Sequence, residues 1–290
     1  MNKNFSCPSC SSSSWATKFT VHGWLYVSCN SCGILRTEHI PTELEIETYY
    51  KEKSQHNSKH SNYDLSNQRQ RQSIARQIAF KVDMTRIGRV FDIGCLDGLI
   101  LDEFKSFGWI TYGLELQTRA VNHCISKGHI VENNLFEKAD AISTLTGSFD
   151  VVIISGVIEH VRNPNELLRS AFALLKPNGI LLIQTPDYGS ILSKILGKYW
   201  FCIAPVEHIF CFTRKSLNMA LFNNGFTVVK TSAHIKFISL NYLHHVSATF
   251  GPWLHVILCK ILIFIPKWIN NIKLPLYGGE MIVIAKKNEN

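Results

Sequence analysis

At 290 residues, with 46% hydrophobic and 18% charged side chains, the chain can bury one large core and a small extra module, which excludes a disordered polypeptide. A formal charge of +8 admits an anionic partner, whether nucleic acid, a phosphate-bearing substrate or an acidic membrane surface, and names none of them. MNKNFSCPSC lacks a secretory pattern, and the most apolar stretch, Trp253 to Ile265, is broken by His255 and Lys260 and stops at Pro266. That is short of the roughly 20 residues a spanning helix needs, so the expectation is a cytoplasmic protein with reduced thiols.

The N-terminal stretch carries CPSC (Cys7, Cys10) and CNSCG (Cys29, Cys32, Gly33), separated by 18 residues. The spacing suits a structural Zn2+ site, because four thiolates at about 2.3 Å complete a tetrahedron. ATKFTVHGWLYVS between them alternates and breaks at His22-Gly23, which predicts a hairpin. Residues 1–36 therefore read as a zinc-ribbon-like module whose metal supplies much of its folding energy. Ribbons of this kind contact nucleic acid, dock proteins or act as structural caps. The other five cysteines, Cys95, Cys124, Cys202, Cys211 and Cys259, have apolar neighbours and read as small core residues.

Residues 37–67 read as a polar linker. Over 68–82, Ile74, Ile78 and Val82 recur at helical spacing, beside Arg69, Arg71, Arg76 and Lys81. Those bases form either a solvated face or an anion-binding surface. From Gly88, apolar runs at 89–93, 110–114, 149–154 and 179–185 alternate with helical patterns at 98–107, 117–127, 137–145 and 164–175. This alternation predicts an α/β domain over 68–290, a parallel sheet with helices on both faces and ligands at the carboxyl ends of its strands. The first strand ends in DIGCLDG, where Gly94 allows a tight turn and Gly98 opens a helix. Glu115 ends the second, about 20 residues on, where a carboxylate can accept both hydroxyls of a ribose.

FDVVIISGVIEHVRNPNELLRSAFALLKPNGILLIQTPD, Phe149 to Asp187, resembles the class I S-adenosylmethionine-dependent methyltransferases. The shared features are an apolar strand, an xxEH helix start, a leucine-rich helix and an LLKPxGxLxxxTP turn. The resemblance covers roughly residues 70–290 and implies a Rossmann-like sheet. It also implies that the Asp92–Gly98 loop, through Asp92, Gly94, Cys95 and Gly98, holds the amino-acid end of S-adenosylmethionine. Glu115 would take the ribose with Leu116 beside it, and Asn134 with Leu135 would meet the adenine. Ser155 and Gly156 would line the sulfonium centre. Leu96 stands where the family's loop has its central glycine; a positive φ there would cost about 1 kcal/mol or more.

His160, following Glu159, is the expected base for the acceptor's proton. Some related O-methyltransferases hold a divalent metal on a Glu/His cluster here, with a further carboxylate three residues earlier. Gly156 occupies that place, so the reading is a base and not a metal ligand. EHIFCFT adds His208 as a substrate contact or second base and resembles a segment of members that methylate glycan or lipid-linked intermediates. GFTVVKTSA (Gly225 to Ala233) and GEMIVIAKK (Gly279 to Lys287) read as the last two strands, with an apolar insertion over 234–278 between them. That insertion is extra core, a lid or a membrane-surface contact through 251–269, with Trp253, Trp268, Lys260 and Lys267 as interfacial anchors.

Together these features predict methyl transfer to oxygen of a sugar, glycan or lipid-linked intermediate, as in polysaccharide biosynthesis. One alternative is an RNA methyltransferase using the ribbon and the positive charge, although SGVIEH stands where base-amine methylases carry their N/D-P-P-Y/F motif. The other is a non-catalytic zinc-ribbon scaffold with a degenerate cofactor pocket, which Leu96 and Asn134 suggest.

Overall fold

The computed structural model describes residues 5–42, 44–46, 48, 65–240, 256, 260 and 272–289. Most of the expected 37–67 linker and of the 251–269 segment, read from sequence as extra core, lid or membrane contact, lies outside the described residues. Among the described residues, no helix is long and apolar enough to cross a membrane.

The N-terminal stretch begins with β1 (Trp15–Val21) and β2 (Trp24–Cys29), an antiparallel hairpin turning at His22-Gly23. Both turn residues have positive φ, 49° and 80°, as a tight two-residue hairpin requires. A third strand, β3 (Leu35–Thr37), pairs with β2. The α/β domain then runs α1 (Leu65–Ala79), β4 (Arg89–Ile93), α2 (Leu99–Ser106), β5 (Ile110–Leu114), α3 (Thr118–Ser126) and β6 (Ile130–Glu132). It continues through α4 (Asp140–Thr144), β7 (Phe149–Ser155), α5 (Pro164–Leu174), β8 (Leu175–Pro186) and α6 (Ile191–Leu196). It closes with β9 (Phe210–Cys211), α7 (Arg214–Asn223), β10 (Phe226–Ser239) and β11 (Lys273–Lys287).

Seven strands form one sheet in the order β10-β11-β8-β7-β4-β5-β6. β4 pairs in parallel with β5 and β7, β5 with β6 and β7 with β8, while β11 is antiparallel to both β8 and β10. The connections leave β4 in opposite directions, so a crevice opens between the carboxyl ends of β4 and β7. Alternate residues of each strand feed two apolar layers. Phe91, Phe149, Val152 and Leu181 pack on one face, and Val90, Val151, Leu182 and Ile282 on the other. α5 begins as its sequence dictates, with Asn163 accepting from the Glu166 backbone and Pro164 at the first helical position.

The strands differ from the sequence pattern in two places. β10 and β11 run well past 225–233 and 279–287, and Ile235 to Ser239 pair with Tyr277 to Lys273. Both described ends of the 234–278 segment are therefore strand. A register shift between Ala233 and Ile235 hides the alternation that would have announced it. The second difference is β9, two residues long, which pairs with β3. The N-terminal sheet, in the order β1-β2-β3-β9, thus closes on a strand of the α/β domain. Cys7, Cys29, Cys32 and Ile34 share an apolar cluster with Phe91 and Phe210. Thr213 Oγ1 donates to the Cys32 carbonyl at 3.1 Å, and Asn223 Nδ2 to the Ser9 carbonyl at 3.0 Å.

Candidate active site

The β4–α2 loop turns on three residues of positive φ: Gly94 at 78°, Leu96 at 50° and Gly98 at 75°. Gly94 is obligatory on space as well, since a Cβ there would meet Val157 Cγ2 at 2.6 Å. Leu96 adopts the conformation that its missing glycine would have provided, and its side chain is 44% exposed. The loop walls a cavity of about 190 Å³, which brings together Asp92, Gly94, Cys95 and Ser155 of the expected cofactor residues. Asp92 is buried, its Oδ1 has no hydrogen-bond partner, and burial raises its carboxyl well above the usual range. Gly98 lies behind the wall against Cys124 and His129, where no side chain would fit.

Glu115 stands beside this wall and is tied to it. Its Oε2 accepts from the Leu96 backbone N–H at 3.1 Å, and its Oε1 from Leu116 and Gln117, both at 2.8 Å. Leu116 and Leu135 are exposed, as apolar flanks of an open groove would be. Asn134 is largely spent on its own loop: Nδ2 donates to Glu132 and to the Lys138 carbonyl, and Oδ1 accepts from Leu135 N at 2.9 Å. Its capacity toward an adenine is the second lone pair of Oδ1.

The cavity has one wall that the sequence left ambiguous. α1 lays Ile74, Ala75 and Ile78 over it, and Arg71 reaches Asp97 Oδ1 at 2.9 Å. Arg71 is therefore an anchored lid residue, while Arg76 is more exposed and lies 3.8 Å from Glu103. Asp97, inside DIGCLDG, was missed, although an acid in that loop facing an arginine-rich helix was the available signal.

Past β7, Glu159, His160 and His208 converge, each offering a ligand atom within 4.8 Å of the others. His160 Nδ1 lies 2.7 Å from the Glu207 carbonyl, and His208 Nδ1 lies 2.7 Å from the Cys202 carbonyl. A carbonyl only accepts, so each ring, when neutral, carries its proton on Nδ1 and has Nε2 as its basic nitrogen. Glu159 is buried; Thr185 Oγ1 donates to its Oε2 at 2.9 Å, and its Oε1 lies 3.9 Å from His160 Nε2. Burial raises the Glu159 carboxyl and lowers His208, each against the opposing charge of the other. The convergence changes one expectation. Gly156 does remove a carboxylate, but His208 returns from 48 residues beyond His160 to supply a third ligand atom. The cluster can thus serve as a pair of bases or as an open three-ligand cation site. Ser155 Oγ donates to Gln184 Oε1 at 2.9 Å, and the Gly156 N–H donates to the Gln184 carbonyl.

The four N-terminal sulfurs also converge, all within 4.8 Å of one another, with Cys7–Cys32 and Cys10–Cys29 each at 3.5 Å. The Cys32 thiol holds Cys7 down to about 5 and is itself pushed up. Beside this knuckle β3 clamps β9, and the Phe210 N–H donates to the Glu159 carbonyl at 3.1 Å.

With this geometry in view, three likenesses are informative. The chain is 27% identical over 125 residues to a ubiquinone biosynthesis O-methyltransferase of Burkholderia orbicola, covering 42% of this chain and 51% of that protein. The chain thus spans about half the length of the curated relatives it matches. Its fold is shared with an S-adenosylmethionine-dependent methyltransferase from Thermotoga maritima, at TM-score 0.51 and 17% identity, covering 84% of this chain and 98% of that one. It is shared too with the 1,6-didemethyltoxoflavin-N1-methyltransferase of Burkholderia thailandensis, solved with S-adenosylhomocysteine bound, at TM-score 0.53 and 12% identity, covering 94% and 99%. Residues 58–231, well over half of the chain, match the family described as "Methyltransferase domain", and the chain belongs to that family.

Proposed function

We propose that this protein transfers a methyl group from S-adenosylmethionine to an oxygen of its acceptor. The observation that carries the reading is the glycine loop after β4, with the orphaned Oδ1 of buried Asp92 beside its cavity and Glu115 hydrogen-bonded to its backbone. When bound, S-adenosylmethionine supplies an electrophilic methyl group on a sulfur that leaves neutral. Asp92 and the loop would hold its amino-acid end, and a cationic ammonium there would offset the cost of ionising a buried carboxylate. Glu115 would accept the ribose hydroxyls, Leu116, Asn134 and Leu135 would flank the adenine, and Ser155 with Gly156 would border the sulfonium.

His160 would take the acceptor's proton on Nε2, with the Glu159 carboxylate as countercharge and His208 as a second base or a substrate contact. A second reading of this cluster rests on the convergence of Glu159, His160 and His208: a divalent cation there would lower the pKa of a bound hydroxyl directly. Transfer activated by added Mg2+ or Mn2+ and abolished by chelation would select it. Oxygen as the methylated atom is supported by the name of the Burkholderia orbicola relative; the acceptor class proposed, a sugar, glycan or lipid-linked intermediate, rests on the EHIFCFT resemblance and not on that relative. For the N-terminal cysteines we propose structural Zn2+. A tetrahedron of thiolates at 2.3 Å from the metal sets neighbouring sulfurs about 3.8 Å apart, close to the separations found.

The test is calorimetric titration of the zinc-loaded protein with S-adenosylhomocysteine, with NAD as the control. Micromolar binding is expected, and Glu115→Ala should weaken it about 10- to 100-fold by deleting hydrogen bonds to a charged group. Absence of binding to the unaltered protein would overturn the reading.

A further inference from the structure

One charged residue on the wall of the cofactor cavity has no part in the chemistry above. Arg71, on α1, lines that cavity together with Asp92, Asp97 and Ser155. It stands at helical spacing from Ile74, Ala75 and Ile78, so its side chain shares the helix face that covers the cavity. Its Nη2 donates to Oδ1 of buried Asp97 at 2.9 Å. A guanidinium offers five N–H donors in a rigid fork, and one carboxylate oxygen does not exhaust them.

The ligand proposed for this cavity ends in an amino acid, which places an ammonium and a carboxylate a few bonds apart. The ammonium has a fitting acceptor in the orphaned Oδ1 of Asp92. The carboxylate needs donors, and the glycine loop has few to give. The Gly94 and Cys95 N–H groups both donate to the Leu114 carbonyl, at 2.8 and 3.1 Å, and the Gly98 N–H donates to the Cys95 carbonyl at 2.9 Å. Glu115 takes the Leu96 N–H, and Ser155 gives its hydroxyl proton to Gln184. Asp92 and Asp97 offer an anion nothing. Lys127 Nζ is held by Asp102 at 2.7 Å and by the Asp97 carbonyl at 3.1 Å, and it does not line the cavity. Among the described residues that do line it, Arg71 is the one cation.

We propose that Arg71 holds the α-carboxylate of the cofactor's amino-acid end, with Asp97 fixing the guanidinium and Asp92 facing the ammonium. The proposal rests on the S-adenosylmethionine reading and deepens it. It assigns the two terminal charges of the cofactor to two different elements, α1 and β4, so that a bound cofactor ties the helix to the sheet.

The test uses two ligands that differ by the carboxylate alone. S-adenosylhomocysteine and its decarboxylated analogue, which keeps the ammonium, the sulfur and the adenosine, would be titrated calorimetrically into the full zinc-loaded chain. The unaltered protein should prefer S-adenosylhomocysteine by about tenfold or more, the usual worth of charge-assisted hydrogen bonds. Arg71→Gln should erase that preference: affinity for S-adenosylhomocysteine falls about tenfold or more, while affinity for the analogue stays within about threefold and reports an intact pocket. Arg71→Lys, which keeps the charge and loses the fork, should recover part of the preference. Equal affinity of the unaltered protein for the two ligands would overturn the proposal. So would an Arg71→Gln variant that weakens both equally, which is the mark of a helix merely loosened, or one that weakens neither. Each of those results leaves the methyltransferase reading standing. Failure of S-adenosylhomocysteine to bind the unaltered chain would remove that reading and the role of Arg71 with it.

Discussion

The two halves of the candidate site are held in different ways. The cofactor half is local: Asp92, Gly94, Leu96 and Glu115 lie within two consecutive strand–loop units, and Glu115 is tied to Leu96 by one hydrogen bond. The acceptor half is assembled from distant segments. Glu159 and His160 follow β7, His208 precedes β9, and β9 is paired with β3 of the four-cysteine module as well as bonded to the Glu159 carbonyl. The comparison teaches that a small four-cysteine module can bear on a candidate site without supplying a residue to it, by pairing with the strand that follows His208.

Breaking the module should therefore separate the two halves. In the double variant Cys10→Ser, Cys29→Ser, a melting temperature lower by about 10 °C or more is expected if, as proposed, Zn2+ on the four cysteines carries the module's folding energy. Hydrogen exchange should quicken over 202–213 while S-adenosylhomocysteine affinity holds within about threefold of the unaltered protein. Equal loosening around the glycine loop would show that the halves are one unit. Next in size, His160→Ala should lower kcat for methyl transfer about 100-fold or more, the usual contribution of a positioned base, with cofactor-product affinity unchanged. A variant that keeps full kcat would move the base role to His208.

The geometry of the glycine-loop half was readable from sequence because its signals are short-range. Gly94, Gly98 and Glu115 sit at fixed offsets from strand ends, and the positive φ anticipated for Leu96 is present. The alternation also placed β4, β5, β7 and α5 to within a residue or so. Long-range pairing left no comparable mark. A two-residue strand such as β9 has too little pattern to be seen, and nothing in EHIFCFT names Leu35 and Arg36 as partners.

Two smaller effects sharpen the contrast. Leu96→Gly should relieve the left-handed strain of about 1 kcal/mol and raise the melting temperature by about 2 °C, an effect confined to the cofactor half. A lower melting temperature would mean that the leucine packs usefully where it stands. Away from both halves, on β11, burial works to raise Glu280, but the hydrogen bond from His234 and the Lys236 ammonium outweigh it and hold the carboxyl down to about 2. A folded value below the ordinary 4.5 contributes stability that is present above 4.5 and lost as pH falls toward 2. Urea midpoints at about pH 5 and about pH 3 should therefore fall less steeply in Glu280→Gln than in the unaltered chain. Parallel slopes would argue that the pair network adds nothing to the fold.

The β3–β9 pairing has a consequence for how the chain is made. Well over half of the polypeptide separates the two strands, so during synthesis β3 waits with a bare edge until β9 leaves the ribosome. The four-stranded sheet, begun before the seven-stranded one, is closed only after β8 of the larger sheet has been made. A chaperone or an early metal ion acting on the nascent chain would have its largest effect in that interval, and fragments ending before residue 210 should aggregate through that unpaired edge.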